Sequence, residues 1–282
     1  MILITGATGN VGREIVKKLH KSGHKVRALS RNPEKAELPP GVEVVAGDLS
    51  HPETLKNALD RIQKVFMIHV PGSDRFPEVA KQSGVRHIVF LSSSAIESKT
   101  DNAIGRFHLE TEKLIRQSGV SWTFLRPGAF MTNTLQWASS IRSEMAVREP
   151  FGDVGTAPID PRDIAAVATD VLVSSGHEGK IYTLTGPEVL TPEEQVRILS
   201  EVLGESIEFK NIPETAAQEN MKNFAPEEIV EALFQLKREA VNRPPKALRT
   251  VEEVTGHPAR TYRQWVTSHA DAFQSTESKE WA

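Results

Sequence analysis

The chain contains no cysteine, which excludes disulfides, a thiolate nucleophile and thiolate-held metal. Any chemistry must use other groups. No apolar run approaches the ~20 residues that a membrane helix needs, and the first apolar run begins at Ile2, leaving no room for a signal or transit peptide. The expected compartment is therefore the cytoplasm. The nine histidines are scattered without a His-Glu-x-x-His pattern. His20 and His24 are four residues apart, but Gly23 interrupts the helix between them, so no metal is expected. A formal net charge of −3 over 282 residues gives no support for nucleic acid or an anionic membrane as a partner. A small-molecule ligand is the expected partner.

What is present is concentrated at the start. Gly6, Gly9 and Gly12 stand in Ile2-Leu3-Ile4-Thr5-Gly6-Ala7-Thr8-Gly9-Asn10-Val11-Gly12. Residues 1–5 read as a buried strand, and Val11, Ile15, Val16 and Leu19 then recur at helical spacing until Gly23. Strand, glycine turn and helix in this order form a dinucleotide-binding turn. Glycine lets the backbone turn tightly and lets a pyrophosphate approach the unpaired amides of a helix N-terminus.

The bases Arg13, Lys17, Lys18, Lys21, Lys25, Arg27, Arg31 and Lys35 are opposed in that segment only by Glu14 and Glu34. For Lys17, Lys18 and Lys21 a solvated helix face accounts for the charge. Arg31 differs, because it ends the second strand, where NAD enzymes place an acid on the ribose 2′-hydroxyl. A guanidinium there suits a 2′-phosphate through paired, charge-assisted hydrogen bonds, which argues for NADP(H).

Residues 26–30, 42–46, 65–70, 88–92 and 122–125 are short runs rich in Val, Ile and aromatics between helix-like segments, so a parallel α/β sheet is expected. Ser50 with Glu53 and Thr191 with Glu194 fit capping boxes, Pro192 fills a first helical position, and Asp160-Pro161-Arg162-Asp163 starts another helix. Residues 181–184 read as a late strand returning to the sheet. Phe130, Met131, Trp137, Met145, Phe151, Phe224 and Trp265 lie in a smaller cap expected to close over the carboxyl edge of the sheet; core packing is the expected role of each aromatic taken singly, and as a group they predict an apolar pocket. The loop Arg243-Pro244-Pro245-Lys246 separates two helical stretches. The tail after Ala272 is polar and expected to fray.

These residues resemble the NmrA-like family of atypical short-chain dehydrogenases/reductases over nearly the whole chain. The markers are Thr5-Gly6-Ala7-Thr8-Gly9-Asn10-Val11-Gly12, Ser30-Arg31-Asn32-Pro33, Gly47-Asp48-Leu49, Leu91-Ser92-Ser93, His108 with Glu112, Leu125-Arg126-Pro127-Gly128 with Phe130 and Asn133, and Pro158-Ile159-Asp160 with Asp163-Ile164-Ala165. The resemblance implies a Rossmann-type, doubly wound parallel sheet with a small, mostly helical C-terminal cap. The expected division is 1–129 with 156–186 for the NADP(H)-binding domain, and 130–155 with 187–282 for the cap. It also implies that Gly6, Thr8, Gly9, Asn10, Val11 and Gly12 hold the pyrophosphate, that Ser30, Arg31 and Asn32 surround the adenosine ribose, and that Asp48 and Leu49 hold the adenine. For Asp48, capping the helix after Ser50 is the competing role. His69, Val70, Pro71, Arg126 and Pro127 would line the cofactor's middle and nicotinamide end, with Gly128, Phe130 and Asn133 toward the substrate. Arg126 could instead serve a buried ion pair. A homodimer is allowed by the fold class.

Members of the superfamily that reduce simple carbonyls use a Tyr-x-x-x-Lys pair as proton donor. Here the only tyrosines, Tyr182 and Tyr262, are followed four residues later by Gly186 and Val266. Ser93 and His108, the latter sharing a helix face with Glu112, are the candidate catalytic groups. Such a site suits acceptors that need no strong protein acid, such as a quinone, an azo bond or an iminium. The competing expectation is a nicotinamide-binding redox sensor that turns nothing over.

Overall fold

In the computed structural model, residues 1–274 are described. From residue 275 onward the polar tail lies outside the described residues. The strands are β1 (Ile2–Ile4), β2 (Val26–Ser30), β3 (Glu43–Ala46), β4 (Lys64–Ile68), β5 (His87–Leu91), β6 (Ser121–Pro127), β7 (Ala146–Glu149), β8 (Lys180–Leu184) and β9 (Glu208–Asn211). Between and after them run α1 (Gly12–Lys21), α2 (Lys56–Leu59), α3 (Phe76–Gln82), α4 (Ala103–Gln117), α5 (Ala138–Glu144), α6 (Pro161–Val173), α7 (Pro192–Leu203), α8 (Glu214–Lys222), α9 (Glu227–Asn242), α10 (Thr250–Thr255) and α11 (Tyr262–Ser268).

Seven strands form one parallel sheet in the order β3-β2-β1-β4-β5-β6-β8. The chain winds outward from β1 to β3, then restarts at β4 on the other side of β1. The carboxyl ends of β1 and β4 therefore diverge into a crevice, the switch point where open α/β sheets bind ligands. The late strand returns to this sheet as β8, beside β6.

Both faces of the sheet are covered. Ile15, Val16 and Leu19 of α1 pack with Ile164, Val167 and Val171 of α6 on one face. Ala58, Leu59, Phe76, Ala80 and Ile115 cover the other. Each large apolar side chain so buried contributes about 1.5–3 kcal/mol. Two residues beyond α1 stands Gly23, whose φ is +76°. There the Gly23 amide donates to the His20 carbonyl and the His24 amide to that of Leu19, the paired bonds of a Schellman cap.

A third core holds the cap together, with Trp137, Ile141, Val147, Leu199, Tyr262 and Trp265 among its members. The cap differs from expectation in two ways. It contains a second, two-stranded parallel sheet, β7 with β9. The group also builds little of a pocket, although the core role expected of each aromatic singly holds for most: Met131, Trp137 and Trp265 are buried, Phe151 packs against Phe234, and Phe224 is 90% exposed. Only Phe130 of that group lines the cavity described below.

The caps divide similarly. Thr191 and Glu194 form the expected capping box with Pro192 in the first turn, and the Asp160 side chain accepts from the Arg162 amide at the start of α6. The Ser50–Glu53 box does not form. Its helical turn starts one residue later, behind His51, because the Ser50 amide and hydroxyl both donate to Asp48 Oδ1, at 2.9 and 2.7 Å.

At the opposite, amino end of the sheet, His87 is buried with Nε2 2.9 Å from Thr123 Oγ1, and Nδ1 has no partner among the described residues. Burial, helped by Lys64 and His177 and opposed by Glu178, pushes its pKa down to about 4. The unfolded chain takes up this proton below a pH of about 6.5. His87 therefore favours the folded state above that pH, and the advantage disappears as pH falls from about 6.5 to about 4, on the order of 3 kcal/mol in all. Denaturant titrations at neutral and mildly acidic pH should show His87→Gln losing less stability on acidification than the unmodified protein. Equal losses would refute the assignment.

Candidate active site

The glycine turn explains its own composition. Gly6 has φ +59°, and a Cβ there would stand 2.7 Å from the Ile68 side chain. A Cβ on Gly12 would stand 2.2 Å from the Gly6 carbonyl oxygen, so no side chain fits where α1 meets the turn. Gly9 is different. Its φ is not positive, and a Cβ would meet only the Gly6 oxygen, at 3.3 Å. The fold barely demands glycine there, whereas a ligand lying on the turn does.

Thr8, Gly9 and Asn10 are exposed. Among the described residues, the amides of Asn10, Val11 and Gly12 have no backbone acceptor. They are the orphan donors of a helix N-terminus, where the helix dipole also favours an anion. This cradle fits a dinucleotide pyrophosphate. Asn10 Nδ2 also lies 3.4 Å from Thr132 Oγ1, a contact between the turn and the segment after β6 that sequence reasoning missed.

Ser30 ends β2 beside this crevice, and Arg31 and Asn32 follow it. Ser30 Oγ accepts from the Asn32 amide at 3.1 Å, and Arg31 is exposed with no hydrogen bond or ion pair among the described residues. It is therefore available to an anion. Asp48 is held below the usual carboxylate range, first by the Ser50 amide and hydroxyl and more weakly by His51 and Arg31. The side chain thus serves a local turn, with Oδ1 committed to Ser50 and not to a helix. Leu49 is buried in the core.

Next to the turn, the carboxyl ends of β4, β5 and β6 line an open cavity of about 300 Å³. Its walls are Ile68, Leu91, Pro127 and Phe130, with Gly128 open beneath, and its polar side chains come from His69, Ser92, Ser93 and His108. Val70 and Pro71 continue the chain from its rim; Val70 is half-buried and Pro71 is exposed. Asn133 is exposed and does not line this cavity.

The expected pairing of His108 with Glu112 is not formed. The His108 Nδ1 faces the Ile104 carbonyl at 2.8 Å. Glu112 is fully buried and accepts from Arg126 through Nε at 2.9 Å and Nη2 at 2.8 Å, from Ser92 Oγ at 2.7 Å, and from Arg116 at 3.3 Å. The two residues do share a helix face, but β6 brings a guanidinium to the carboxylate, and a bidentate charge pair outcompetes an imidazole. Burial pushes the His108 pKa down, only partly offset by the Ile104 carbonyl and the Glu112 charge. A neutral imidazole whose Nδ1 proton is spent on a carbonyl presents a bare Nε2. His108 is therefore not poised as a proton donor to the cavity at neutral pH.

Arg126 likewise takes the ion-pair role: its guanidinium also reaches Glu97 at 3.4 Å, and it ties β6 to α4. Ser93 Oγ accepts from the Ala95 amide at 3.1 Å, capping a short turn. Its own proton has no acceptor among the described residues. Both tyrosine hydroxyls are engaged elsewhere. Tyr182 lies 2.8 Å from His177 Nδ1, and Tyr262, fully buried in the cap core, lies 2.9 Å from Thr134 Oγ1 with its pKa raised by burial.

A doubly wound sheet with an anion cradle at its switch point, opening beside a small apolar cavity, defines a dinucleotide-binding oxidoreductase of the atypical short-chain type. Over residues 1–265 the chain matches the model of the NmrA-like family, and it belongs to that family. It is 42% identical over 280 residues to the (4-alkanoyl-5-oxo-2,5-dihydrofuran-3-yl)methyl phosphate reductase of Streptomyces griseus, covering 97% of this chain and 99% of that one. It is 36% identical over 286 residues to the NAD(P)H azoreductase of Xenophilus azovorans, covering 97% and 99%. Among solved structures, the NADPH-dependent quinone oxidoreductase of Escherichia coli complexed with NADPH superposes with a TM-score of 0.84 at 27% identity, covering 96% of this chain and 100% of that one.

Proposed function

We propose that this protein is an NADP(H)-dependent reductase of small, conjugated, electron-poor acceptors: quinones, azo bonds, unsaturated lactones or iminium-like carbons. The observation that carries this reading is the make-up of the cavity beside the glycine turn, with apolar walls, two histidines, one uncommitted hydroxyl and neither tyrosine. The reductases of furanone phosphates and azo compounds to which the chain is similar support it, since their named substrates share a polarised, conjugated π bond.

In this reading the amides of Asn10 to Gly12 hold the pyrophosphate and Arg31, with Ser30 and Asn32, holds the 2′-phosphate. Residues 1–129 with 156–186 carry the cofactor, and Phe130, at the start of the cap, lines the acceptor site. When bound, the nicotinamide supplies a hydride. Ile68, Leu91, Pro127 and Phe130 hold the acceptor flat, so that positioning supplies most of the rate. Ser93 Oγ–H points its free proton at the heteroatom on which negative charge collects. An acceptor that tolerates that charge then takes its proton from water.

The test compares NADPH and NADH consumption with a naphthoquinone. NADPH should be favoured, and Arg31→Ala should narrow the preference by ~1–3 kcal/mol, about 5–150-fold, as expected for a charge-assisted contact. Equal use of both cofactors by the unmodified protein would contradict the reading.

A further inference from the structure

We propose that the cavity selects acceptors bearing a hydrogen-bond donor, a phenolic or enolic hydroxyl or an N–H, beside the bond to be reduced, and that His69 and His108 recognise it through Nε2. This rests on the cavity being the acceptor site.

The tautomers follow from the hydrogen bonds. Thr111 Oγ1 lies 3.0 Å from the Phe107 carbonyl and spends its single proton there. Toward His69 Nδ1, also at 3.0 Å, it can only accept, so that nitrogen carries the proton. His108 Nδ1 faces a carbonyl and must carry its proton too. A neutral imidazole has one proton, so both Nε2 atoms are bare acceptors.

Several features keep the pair in this state. Burial disfavours the charged form of each ring, and His69 is held down further by His108. Asp74 beside His69 and Glu112 beside His108 oppose the shift without cancelling it. The rings stand 5.5 Å apart at 43°, and His69 is stacked against Phe107 from behind, at 6.0 Å and 4°. Neither Nε2 has a partner among the described residues, and neither is sealed from solvent. Both residues line the cavity.

Ser92 spends its proton on Glu112, so the cavity's uncommitted groups are one side-chain donor, Ser93, and the two ring acceptors. An acceptor molecule with only carbonyl or ether oxygens can use the first and strands the other two. A molecule that also carries a hydroxyl or N–H satisfies both kinds of group, and a site built to pair such a group rejects an analogue lacking it.

Two redox-inert probes test this, 1-naphthol and its methyl ether 1-methoxynaphthalene, titrated calorimetrically into the unmodified protein. The naphthol should bind about tenfold more tightly, the effect of one or two hydrogen bonds. The preference should shrink in His69→Phe and in His108→Phe and vanish in the double variant. Equal affinities in the unmodified protein, binding of neither probe, or a preference that survives the double substitution would overturn the proposal. Quinone turnover in the same preparation reports on the reductase reading separately. Turnover without naphthol preference sinks only the donor selection, and naphthol preference without turnover sinks only the proposed reaction.

Discussion

Gly9→Val should abolish NADPH binding while leaving the protein folded. The two outer glycines cannot serve this test. A Cβ on Gly12 would collide with the Gly6 carbonyl oxygen at 2.2 Å, and Gly6 needs its left-handed backbone, so either variant confounds folding with binding. At Gly9 the new Cβ meets one oxygen at 3.3 Å, which a shift of a few tenths of an ångström relieves. The branched side chain then projects where the pyrophosphate must lie. Losing two charge-assisted bonds from backbone amides, each worth about 1.5–3 kcal/mol, predicts an affinity loss on the order of 100-fold or more. Calorimetry should detect no binding, with circular dichroism and Tm close to those of the unmodified protein. A folded Gly9→Val that binds NADPH normally would mean that the turn is only structural.

The largest stability effect is expected at Glu112. Its carboxylate is fully buried and satisfies Arg126, which is itself only 12% exposed. Glu112→Ala leaves a buried guanidinium without its main partner, a class of change that costs about 3–5 kcal/mol. For a chain of this size that corresponds to a fall in Tm on the order of 10 °C. Activity should fall as well, because Ser92, bonded to Glu112, and Arg126 anchor the strand ends that carry Ser93 and Pro127-Gly128. Replacing both partners, as in Glu112→Leu with Arg126→Met, should recover part of the stability, since no charge then remains unpaired. A Glu112→Ala protein as stable as the parent would show that the network holds nothing.

The glycine turn was legible because strand, turn and helix are contiguous, so that local spacing encodes the geometry. The Thr191–Glu194 box was legible for the same reason. The Ser50–Glu53 box has the same pattern, but Asp48, two residues upstream, captured the serine first. β7 and β9 escaped notice because Ala146–Glu149 and Glu208–Asn211 are four residues each, carry charges, and become strands only by meeting each other. The partners of Glu112 are non-local in the same sense. Helical spacing put His108 within reach, and nothing in the sequence weighed it against an arginine delivered by the next strand. Thr111, which fixes the tautomer of His69, sits one turn from His108. That spacing was visible, but its role depends on the end of β4.

Transfer of deuterium from NADPH labelled at the nicotinamide C4 tests the central claim most directly. A carbon acceptor such as an α,β-unsaturated lactone retains what it receives, so the mass of the reduced product reports the transfer. With NADPH deuterated on both C4 positions, the account predicts one non-exchangeable deuterium per product molecule, and the same yield from the Tyr182→Phe/Tyr262→Phe double variant. Tight NADPH binding with no deuterium in any of a panel of conjugated carbon acceptors, or transfer that disappears with the tyrosine hydroxyls, would contradict it.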